Sequence, residues 1–294
     1  MDMIAGGGRL GLIAVRVRMR ARMAVALLLL LGSAGGVLAA GMGSASAQPS
    51  PSLARGRALP AGAGDYLYGI RCTSAASCWA VGNTSDNLTE ALHWNGHQWS
   101  QVTTPNPGDY SDNLDDVACT SAADCWAVGT AGYSDFTSPN LALHWNGHTW
   151  SVVSTPSPHA GEGFNELLSV TCVSPRDCWA VGLDSDSGQA LHWNGHRWSL
   201  VPTPGTALRD VRCISSANCW AVGPAFFPLG SMVNEAMHWN GHTWSYVTMP
   251  SPAPGASPDL EAIACTSSSN CWAVGFDGRG DQVLHWNGHH WSTA

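Results

Sequence analysis

Two short stretches decide the fold: CTSAASCWAVG at residues 72–82 and LHWNGHQWS at residues 92–100. The same pair, C-x5-C-W-A-V-G followed by H-W-N-G-H-x-W-S, occurs five times along the 294 residues. The first cysteines of successive copies lie 47, 53, 41 and 52 residues apart, and all ten cysteines and all 15 tryptophans fall inside the copies. A period of about 20 to 50 residues is typical of a repeat architecture in which each copy is one structural unit.

Each copy is predicted to form four short β-strands, because apolar and polar residues alternate and turn residues separate the runs. In the first copy the predicted strands are A (residues 66–73), B (78–82), C (90–94) and D (97–103). The Asn-Gly pair at 95–96 predicts a two-residue type I′ turn between C and D, because both central positions of that turn have positive φ. Such a turn places Trp94 opposite His97 and Leu92 opposite Trp99.

Five such units predict an all-β fold, a five-bladed β-propeller of four-stranded antiparallel blades with one disulfide per blade. One small sheet cannot bury three indoles alone, so we expect the tryptophans to pack between neighbouring blades. A β-solenoid is the structural alternative, but its coils are usually shorter and lack a recurrent tight hairpin. The predicted blades cover about residues 66–108, 109–160, 161–204, 205–255 and 256–294.

The cysteines predict a disulfide framework, because an even number of closely spaced cysteines in an exported chain is usually oxidised. We expect each C-x5-C to join strands A and B of its own copy, in the pairs Cys72/Cys78, Cys119/Cys125, Cys172/Cys178, Cys213/Cys219 and Cys265/Cys271. Zinc is the alternative and is disfavoured, because its usual ligand spacing is C-x2-4-C. No metal ligand is assigned, and no cofactor is expected.

Two recurrent residue types have a functional alternative to a framework role. His93 and His97 are spaced like the histidines of a zinc protease, but that motif needs a helix, and here a turn separates the two residues. Trp79, Trp94 and Trp99, with their equivalents in later copies, are of a type that stacks on sugars. Their identical placement in every copy favours a core between blades.

The first 47 residues predict a secretory signal peptide. Four arginines between residues 16 and 22 precede an apolar run that starts at Met23, and the Ala-Ser-Ala at 45–47 fits a cleavage site. A retained membrane anchor is the alternative, because the apolar run is near the length that spans a bilayer. Residues 48–65, rich in Pro, Ala, Gly and Ser, are predicted to be a flexible leader. The sequence therefore predicts a secreted, extracellular protein without a stable membrane anchor after cleavage.

The charge balance argues against two classes of partner. After cleavage the chain carries 8 arginines, no lysine and 20 acidic residues, and hence a net charge of about −12. Nucleic acid needs a basic footprint for its phosphates, so it is not expected as a partner. An anionic membrane surface is disfavoured for the same reason.

These motifs resemble a known group of propellers. C-W-A-V-G followed by L-H-W-N-G-H-x-W-S is similar to the G-W-A-V-G and S-x-D-x-G-x-x-W segments of Asp-box (BNR-type) propellers, which include sialidases and photosystem II assembly factor-like proteins. Over residues 66–294 the chain most resembles secreted repeat propellers of actinobacteria, which mostly lack an assigned activity. It departs from the Asp-box at the aspartate, which is replaced by Trp94, Trp145, Trp193, Trp239 and Trp286.

The candidate binding surface is the face on which the B–C and D–A connections emerge, because these vary between copies while the A–B and C–D connections are constant. The A strands start on this face and should ring the mouth of the central channel. Four positions before the first cysteine stand Tyr68, Asp115, Leu168, Arg209 and Glu261, followed by Gly69, Asp116, Ser169, Asp210 and Ala262. The candidate ligand-binding residues are Tyr68, Asp115, Asp116, Arg209 and Glu261. The alternative is that they are solvated strand ends.

Two smaller motifs are weak. The D-x-D-x-G stretch at 184–188 resembles the start of a calcium loop but lacks the third acidic ligand and the bidentate Glu. The Arg-Gly-Asp at 279–281 matches an integrin-type tripeptide, and such triplets arise by chance.

The predicted function is a non-catalytic binding or interaction module, monomeric, with an unknown protein or glycan as its ligand. A carbohydrate-binding lectin is the first alternative, and a sialidase-like glycoside hydrolase is the second. The hydrolase would need several arginines, a tyrosine nucleophile and carboxylates at the mouth. Arg71 and Arg212 instead directly precede cysteines, deeper in strand A. No G-x-S-x-G or P-loop motif occurs, so no catalytic residue is assigned.

Overall fold

The computed structural model describes residues 66–294 apart from 159–162, 186, 227–231 and 253–255. The predicted signal peptide and leader, residues 1–65, lie outside the described residues. All elements within the described residues are strands, and no helix among them is long and apolar enough to cross a membrane.

The described residues form twenty strands in five antiparallel sheets, and each sheet contains four strands that follow one another in the chain. Blade 1 contains β1 (Tyr66–Ser74), β2 (Ser77–Asn83), β3 (Thr89–Trp94) and β4 (Trp99–Val102). Blade 2 contains β5 (Ser111–Ser121), β6 (Asp124–Gly132), β7 (Asn140–Trp145) and β8 (Trp150–Val152). Blade 3 contains β9 (Asn165–Ser174), β10 (Asp177–Asp184), β11 (Gly188–Trp193) and β12 (Trp198–Val201). Blade 4 contains β13 (Asp210–Ser215), β14 (Asn218–Phe226), β15 (Met232–Trp239) and β16 (Trp244–Tyr246). Blade 5 contains β17 (Asp259–Ser267), β18 (Asn270–Phe276), β19 (Asp281–Trp286) and β20 (Trp291–Thr293).

The first strand of each blade lies beside the first strand of the next, from β1 through β5, β9 and β13 to β17. These inner strands therefore surround the axis, and the fourth strands are outermost. The predicted five-bladed β-propeller with four-stranded antiparallel blades is confirmed.

The C–D hairpin has a different register from the predicted one. In blade 1 the strands agree with the prediction to within two residues, but Trp94 pairs with Trp99, so that residues 95–98 form a four-residue loop. The predicted pairings of Trp94 with His97 and of Leu92 with Trp99 are wrong.

The asparagine side chain explains the longer turn. The Oδ1 atom of Asn95 accepts hydrogen bonds from the backbone N–H groups of residues 97 and 98 at 2.9 and 3.0 Å. Gly96 has a φ of 93°, which favours glycine. An Asx turn of this kind replaces the backbone turn that the Asn-Gly pair alone suggested, and it sets the two indoles opposite each other.

All five predicted disulfides are present, one in each blade. They join Cys72 to Cys78, Cys119 to Cys125, Cys172 to Cys178, Cys213 to Cys219 and Cys265 to Cys271. The two cysteines of each pair are directly opposite in the ladder between the first and second strands, with their Cα atoms 3.9 to 4.0 Å apart in every blade. The described residues contain no free cysteine. Such a framework persists in an oxidising compartment.

The two cysteines of a pair differ in exposure, which the spacing did not predict. The second cysteine of every pair is buried, and these residues are Cys78, Cys125, Cys178, Cys219 and Cys271. Each lies at the start of a second strand, which has a neighbouring strand on both sides within its sheet. Of the first cysteines only Cys119 is buried, because the first strand is the inner edge of its sheet.

Tryptophans fill the four inner junctions between blades. Trp126 is 1% exposed, and its ring lies 4.7 Å from that of Trp193 and 5.1 Å from that of Trp198 in the following blade. Trp79, Trp179 and Trp220 make the equivalent contacts. At these four junctions the framework role of the tryptophans is confirmed, and their ring faces are not available to a sugar.

The junction between blade 5 and blade 1 differs from the other four. Trp272 is 41% exposed and Val274 42%, whereas the equivalent tryptophans and valines of blades 1 to 4 are at most 1% exposed. On the facing side, Ile70 of blade 1 is 56% exposed, against 3% for Val117 in blade 2. The facing sides of blade 5 and blade 1 are therefore not covered in the way that closes the four inner junctions.

Candidate functional site

The variable face, formed by the B–C and D–A connections, carries exposed aromatic side chains. Apart from Tyr246, all exposed Tyr and Phe side chains among the described residues lie on its loops and strand ends, namely Tyr66, Tyr110, Phe136, Phe164, Phe226 and Phe276. Phe136 is 91% exposed in the connection between β6 and β7 and has a φ of 68°. At the four inner junctions tryptophans thus pack between blades, whereas the exposed Phe and Tyr rings lie on the variable face, with Tyr246 as the exception.

Hydrogen bonds hold the loops of the variable face in place. Asp109 accepts hydrogen bonds from the backbone N–H and the hydroxyl of Ser134 at 2.7 and 3.0 Å. The backbone N–H of Asn165, at the start of blade 3, donates to the carbonyl of Ser138 in blade 2 at 2.7 Å. The connection that carries Phe136 is therefore positioned from both sides, as a largely pre-formed binding surface requires.

On one side of the mouth, Arg209 is surrounded by carboxylate side chains. The guanidinium of Arg209 pairs with both carboxylate oxygens of Asp259, at 3.0 Å (Nη2 to Oδ2) and 3.3 Å (Nε to Oδ1). Burial acts to lower the pKa of Arg209, but the charges of Asp259, Glu261 and Glu166 outweigh burial and raise that pKa. Two of the predicted site residues, Arg209 and Glu261, are thus brought together, in a group that contains more acid than base.

The other side of the mouth holds Tyr68 and Asp115. Burial, and then the negative charge of Asp115, raise the pKa of Tyr68, so its hydroxyl stays protonated at neutral pH. Asp115 is buried and accepts a hydrogen bond from Asn113 Nδ2 at 2.8 Å. Leu168, the equivalent residue in blade 3, is buried. The mouth is therefore polar on two sides and apolar between them.

Asp116 ties two blades together. Its Oδ1 accepts a hydrogen bond from the backbone N–H of Val117 at 2.8 Å, and its Oδ2 accepts from Ser169 Oγ and from the backbone N–H of Val170, both at 3.0 Å. Because Ser169 and Val170 belong to blade 3, the carboxyl bridges blades 2 and 3. Its proposed contact with a ligand stays a prediction.

Asp210 repeats this bridge from blade 4 to blade 5, where it accepts from the backbone N–H of Ile263 at 2.8 Å. The hydroxyl of Ser169 lies 2.6 Å from Asp210 and 3.0 Å from Asp116, so one hydroxyl hydrogen serves two carboxyl groups. Burial, and then the charge of Asp210, raise the pKa of Asp116 to about 6. The sequence signal for this Asp116–Ser169–Asp210 bridge is a small polar residue at the same position in three successive copies.

Two amide pairs, which the sequence reasoning missed, join neighbouring blades farther from the axis. Asn140 and Gln189 exchange hydrogen bonds of 2.7 and 3.0 Å between blades 2 and 3. Asn234 and Gln282 do the same at 2.9 Å in both directions between blades 4 and 5. The sequence does carry a signal for these pairs. Asn lies near the start of strand C in copies two and four, and Gln lies near the same place in copies three and five.

The recurrent histidines belong to the framework on the opposite face. The first His of each H-W-N-G-H stacks on the second-strand Trp with ring centroids 4.3 to 4.6 Å apart. Its Nε2 contacts the residue before the second cysteine, in the pairs His93/Ser77, His144/Asp124, His192/Asp177, His238/Asn218 and His285/Asn270. Within the part of the chain that the structure describes, no three His, Cys, Asp or Glu residues are grouped to hold a metal ion.

The buried cysteines are core residues and do not contribute to a ligand surface. Cys125 and Cys119 belong to the apolar cluster around Trp79, between blades 1 and 2. The second cysteines of blades 3, 4 and 5 belong to the clusters of the following junctions, where Cys178 packs near Trp126, Cys219 near Trp179 and Cys271 near Trp220. Cys78, at 8%, is slightly more exposed than these three, which are fully buried. The disulfides of blades 2 to 5 therefore contribute to the packing between blades as well as closing their own hairpins.

The two smaller motifs form turns. Asp184 accepts a hydrogen bond from the backbone N–H of Ser187 at 2.8 Å, while Asp186 lies outside the described residues. Asp277 accepts from the backbone N–H groups of Arg279 and Gly280 at 2.8 and 2.9 Å. Both aspartates thus close their own local turns.

Comparison with solved structures identifies the fold. The chain is similar to the WD40 repeats of RRP9, at 10% identity and a TM-score of 0.55, over 76% of this chain and 62% of that one. It is also similar to the six-bladed fungal lectin of Aleuria aurantia, at 14% identity and a TM-score of 0.51, over 78% and 77% of the two chains. This chain is a β-propeller. YCF48 bound to D1 peptide matches at 15% identity over 78% and 82%, with a TM-score of 0.40.

The propeller spans about three fifths of the length of the RRP9 structure. No protein-family model and no curated protein matches the sequence. Identities this low show the fold alone, and one fold hosts many unrelated functions. The function has to be argued from the residues on the variable face.

Proposed function

We propose that this chain is a secreted, non-catalytic binding module of the actinobacterial repeat-propeller type, which takes a protein or glycan ligand on its variable face. The observation that carries the proposal is the distribution of aromatic residues: tryptophans pack between blades at the four inner junctions, while the exposed Phe and Tyr rings of the described residues, apart from Tyr246, lie on the variable face. Exposed apolar groups concentrated on one face are typical of an interaction site. The five disulfides support export, because such bonds persist in oxidising compartments.

The side chains at the mouth limit the classes of ligand that fit there. Asp115 lies on one side, and Glu166, Asp259 and Glu261 surround Arg209 on the other, so carboxylates outnumber guanidinium groups there. A ligand that presents hydroxyl, amide or cationic groups to the mouth, and apolar surface to the surrounding rings, fits this arrangement. A polyanion does not.

Two observations support a non-catalytic role over a sialidase-like hydrolase. Arg209 at the mouth is already paired with Asp259, whereas a sialidase-like site needs several arginines for its substrate. The raised pKa of Tyr68 keeps its hydroxyl protonated, which weakens it as a nucleophile. The alternative within the binding class is a lectin, and the exposed rings of Phe136 and Tyr110 favour it because aromatic faces stack on sugars.

The test is a ligand screen on the oxidised mature chain, residues 48–294, against a glycan array and an array of extracellular proteins. For any ligand found, Phe136→Ala and Tyr110→Ala should weaken binding about tenfold or more, as expected for central aromatic contacts. Leu200→Ala is the matched control, since Leu200 is exposed on the outer strand β12, away from the variable face. A glycan ligand establishes the lectin alternative, and a ligand insensitive to both aromatic substitutions overturns the proposed surface.

Catalysis is tested separately with fluorogenic glycosides. The proposal expects no turnover above that of heat-denatured protein. Turnover that is abolished by Asp115→Ala or Glu261→Ala, but kept by Asp277→Ala in an exposed turn, establishes the hydrolase instead.

A further inference from the structure

A second polar site lies on the axis, beyond the mouth. The residues directly before the first cysteines are Arg71, Ala118, Thr171, Arg212 and Ala264, and the first four of these line this region. Arg71 and Arg212 line one small cavity of about 50 Å³, together with the inner strands β5 and β9. This position is three residues past the ring at the mouth, or about 10 Å deeper at about 3.3 Å per residue. The cavity therefore lies toward the disulfide end of the axis.

The two arginines are not neutralised by the protein. Among the described residues, neither guanidinium has a carboxylate within ion-pair distance. Burial, and then the positive charge of Arg212, lower the pKa of Arg71, and the negative charge of Asp116 opposes this only in part. Asp116 also lines the cavity, but its two oxygens already accept three hydrogen bonds. The positively charged guanidinium groups of Arg71 and Arg212 thus line the same small cavity.

We propose that Arg71 and Arg212 together bind a tetrahedral oxyanion, sulfate or phosphate, in this axial cavity. The guanidinium group is planar, always charged and matched in geometry to two oxygens of such an anion, and two of them lining one cavity can contact the same anion. The negative charge of that anion offsets the mutual repulsion of the two guanidinium groups. The cavity admits a single small group, so the site takes one oxyanion or the end of one ester. This cavity shares no residue with the aromatic loops of the variable face, and Asp116 is the one candidate residue of the mouth that also lines it.

The repeats themselves supply the substitution for the test. Copies two and five carry Ala118 and Ala264 at this position, so Arg71→Ala and Arg212→Ala introduce a residue that the fold already accepts there. Arg197→Ala is the control, since Arg197 is exposed in the C–D turn of blade 3. Far-UV circular dichroism and the denaturation midpoint of each variant establish that it is folded.

The measurement is isothermal titration calorimetry with sodium sulfate and sodium phosphate at constant ionic strength in chloride. We expect saturable binding of one anion per chain, weakened about tenfold or more by either single alanine variant, as for the loss of one charge-assisted hydrogen-bonding partner. Arg197→Ala should bind like the wild type. Methyl sulfate, titrated in parallel, shows which form of the anion the site takes. An affinity comparable to that of sulfate indicates that the site accepts an ester group, and a lost affinity indicates that it binds only the free ion.

Two results overturn the proposal. One is the absence of saturable sulfate or phosphate binding in the folded wild-type protein. The other is saturable binding that Arg71→Ala and Arg212→Ala leave unchanged, which places the anion elsewhere. Failure of the ligand screen on the variable face has no bearing on either result.

Discussion

The uncovered face of blade 5 predicts a large difference between two equivalent tryptophans. Trp220 and Trp272 occupy the same position in consecutive copies, but Trp220 is 1% exposed and Trp272 41%. The ring of Trp220 also lies 4.8 and 5.5 Å from those of Trp286 and Trp291. The ring contact described for Trp272 is with His285 of its own blade. We therefore compare Trp220→Ala with Trp272→Ala.

The magnitude follows from area and contacts. A fully buried indole removes about 200 Å² from water, which is about 5 kcal/mol at about 25 cal/mol per Å². With 41% of its surface exposed, Trp272 retains about 3 kcal/mol of this. The two indole contacts of Trp220 add about 1 kcal/mol each. We expect Trp220→Ala to lower the free energy of unfolding by about 4 kcal/mol more than Trp272→Ala, and differences of this kind are more reliable than absolute sums.

The assay is urea unfolding of the oxidised mature chain, followed by far-UV circular dichroism because the substitutions themselves change tryptophan fluorescence. Measurements at two protein concentrations, tenfold apart, detect any association that covers blade 5. Val222→Ala and Val274→Ala form a second matched pair, with Val222 fully buried and Val274 42% exposed. Equal losses for Trp220→Ala and Trp272→Ala at both concentrations refute the reasoning, because they mean that the face of blade 5 is buried in solution.

Three further predictions concern the framework. Replacing Cys172 and Cys178 together by serine should lower the free energy of unfolding by about 2 kcal/mol through the lost loop closure of a short disulfide. In reductant this part of the difference should vanish, which leaves only the cost of a serine hydroxyl at the fully buried position of Cys178. Gly182→Ala should lower the free energy of unfolding by more than about 2 kcal/mol, because the added Cβ would lie 1.8 Å from the carbonyl oxygen of Glu166. Gly280→Ala is the control: no atom lies within 4 Å of its added Cβ, so its free energy of unfolding should stay within about 0.5 kcal/mol of wild type in the same assay. Because the pKa of Asp116 is raised from 3.8 to about 6, its contribution to stability is present in acid and is lost as the pH rises through 6. Between pH 7 and pH 5 the wild type should therefore gain about 1 kcal/mol more stability than Asp116→Asn does in the same unfolding assay, and this comparison cancels the effect of other shifted groups such as Glu235 and His238.

Most of the fold was predictable because the repeat solves two problems at once. Five copies of C-x5-C limited the disulfide pairings to one simple set, and three tryptophans per copy required packing partners outside their own sheet. The turn register was not predictable from the Asn-Gly pair, since the side chain of Asn95 competes with the backbone for the turn's hydrogen bonds. The sequence around Asn95 is compatible with both a two-residue and a four-residue turn. In the four-residue turn Trp94 pairs with Trp99 across the strands.

The location of the candidate site stays a prediction, although the face that the variable connections indicated does carry most of the exposed Phe and Tyr rings. The contacts among the candidate residues were less predictable. The ion pair of Arg209 with Asp259 and the bridge from Asp116 to Ser169 were not visible, because each joins residues of different blades about 50 positions apart.

By itself, the sequence determined the blade: its four strands, its disulfide and the residues that form its two faces, because these depend on spacing and alternation within about 50 residues. Only the tertiary structure decided the exposure and charge state of residues at the junctions between blades, because both depend on which side chains of the neighbouring blade lie beside them. Trp220 and Trp272 are identical in the sequence pattern, but two indoles of the next blade pack on Trp220, which makes it a core residue, while Trp272 is 41% exposed.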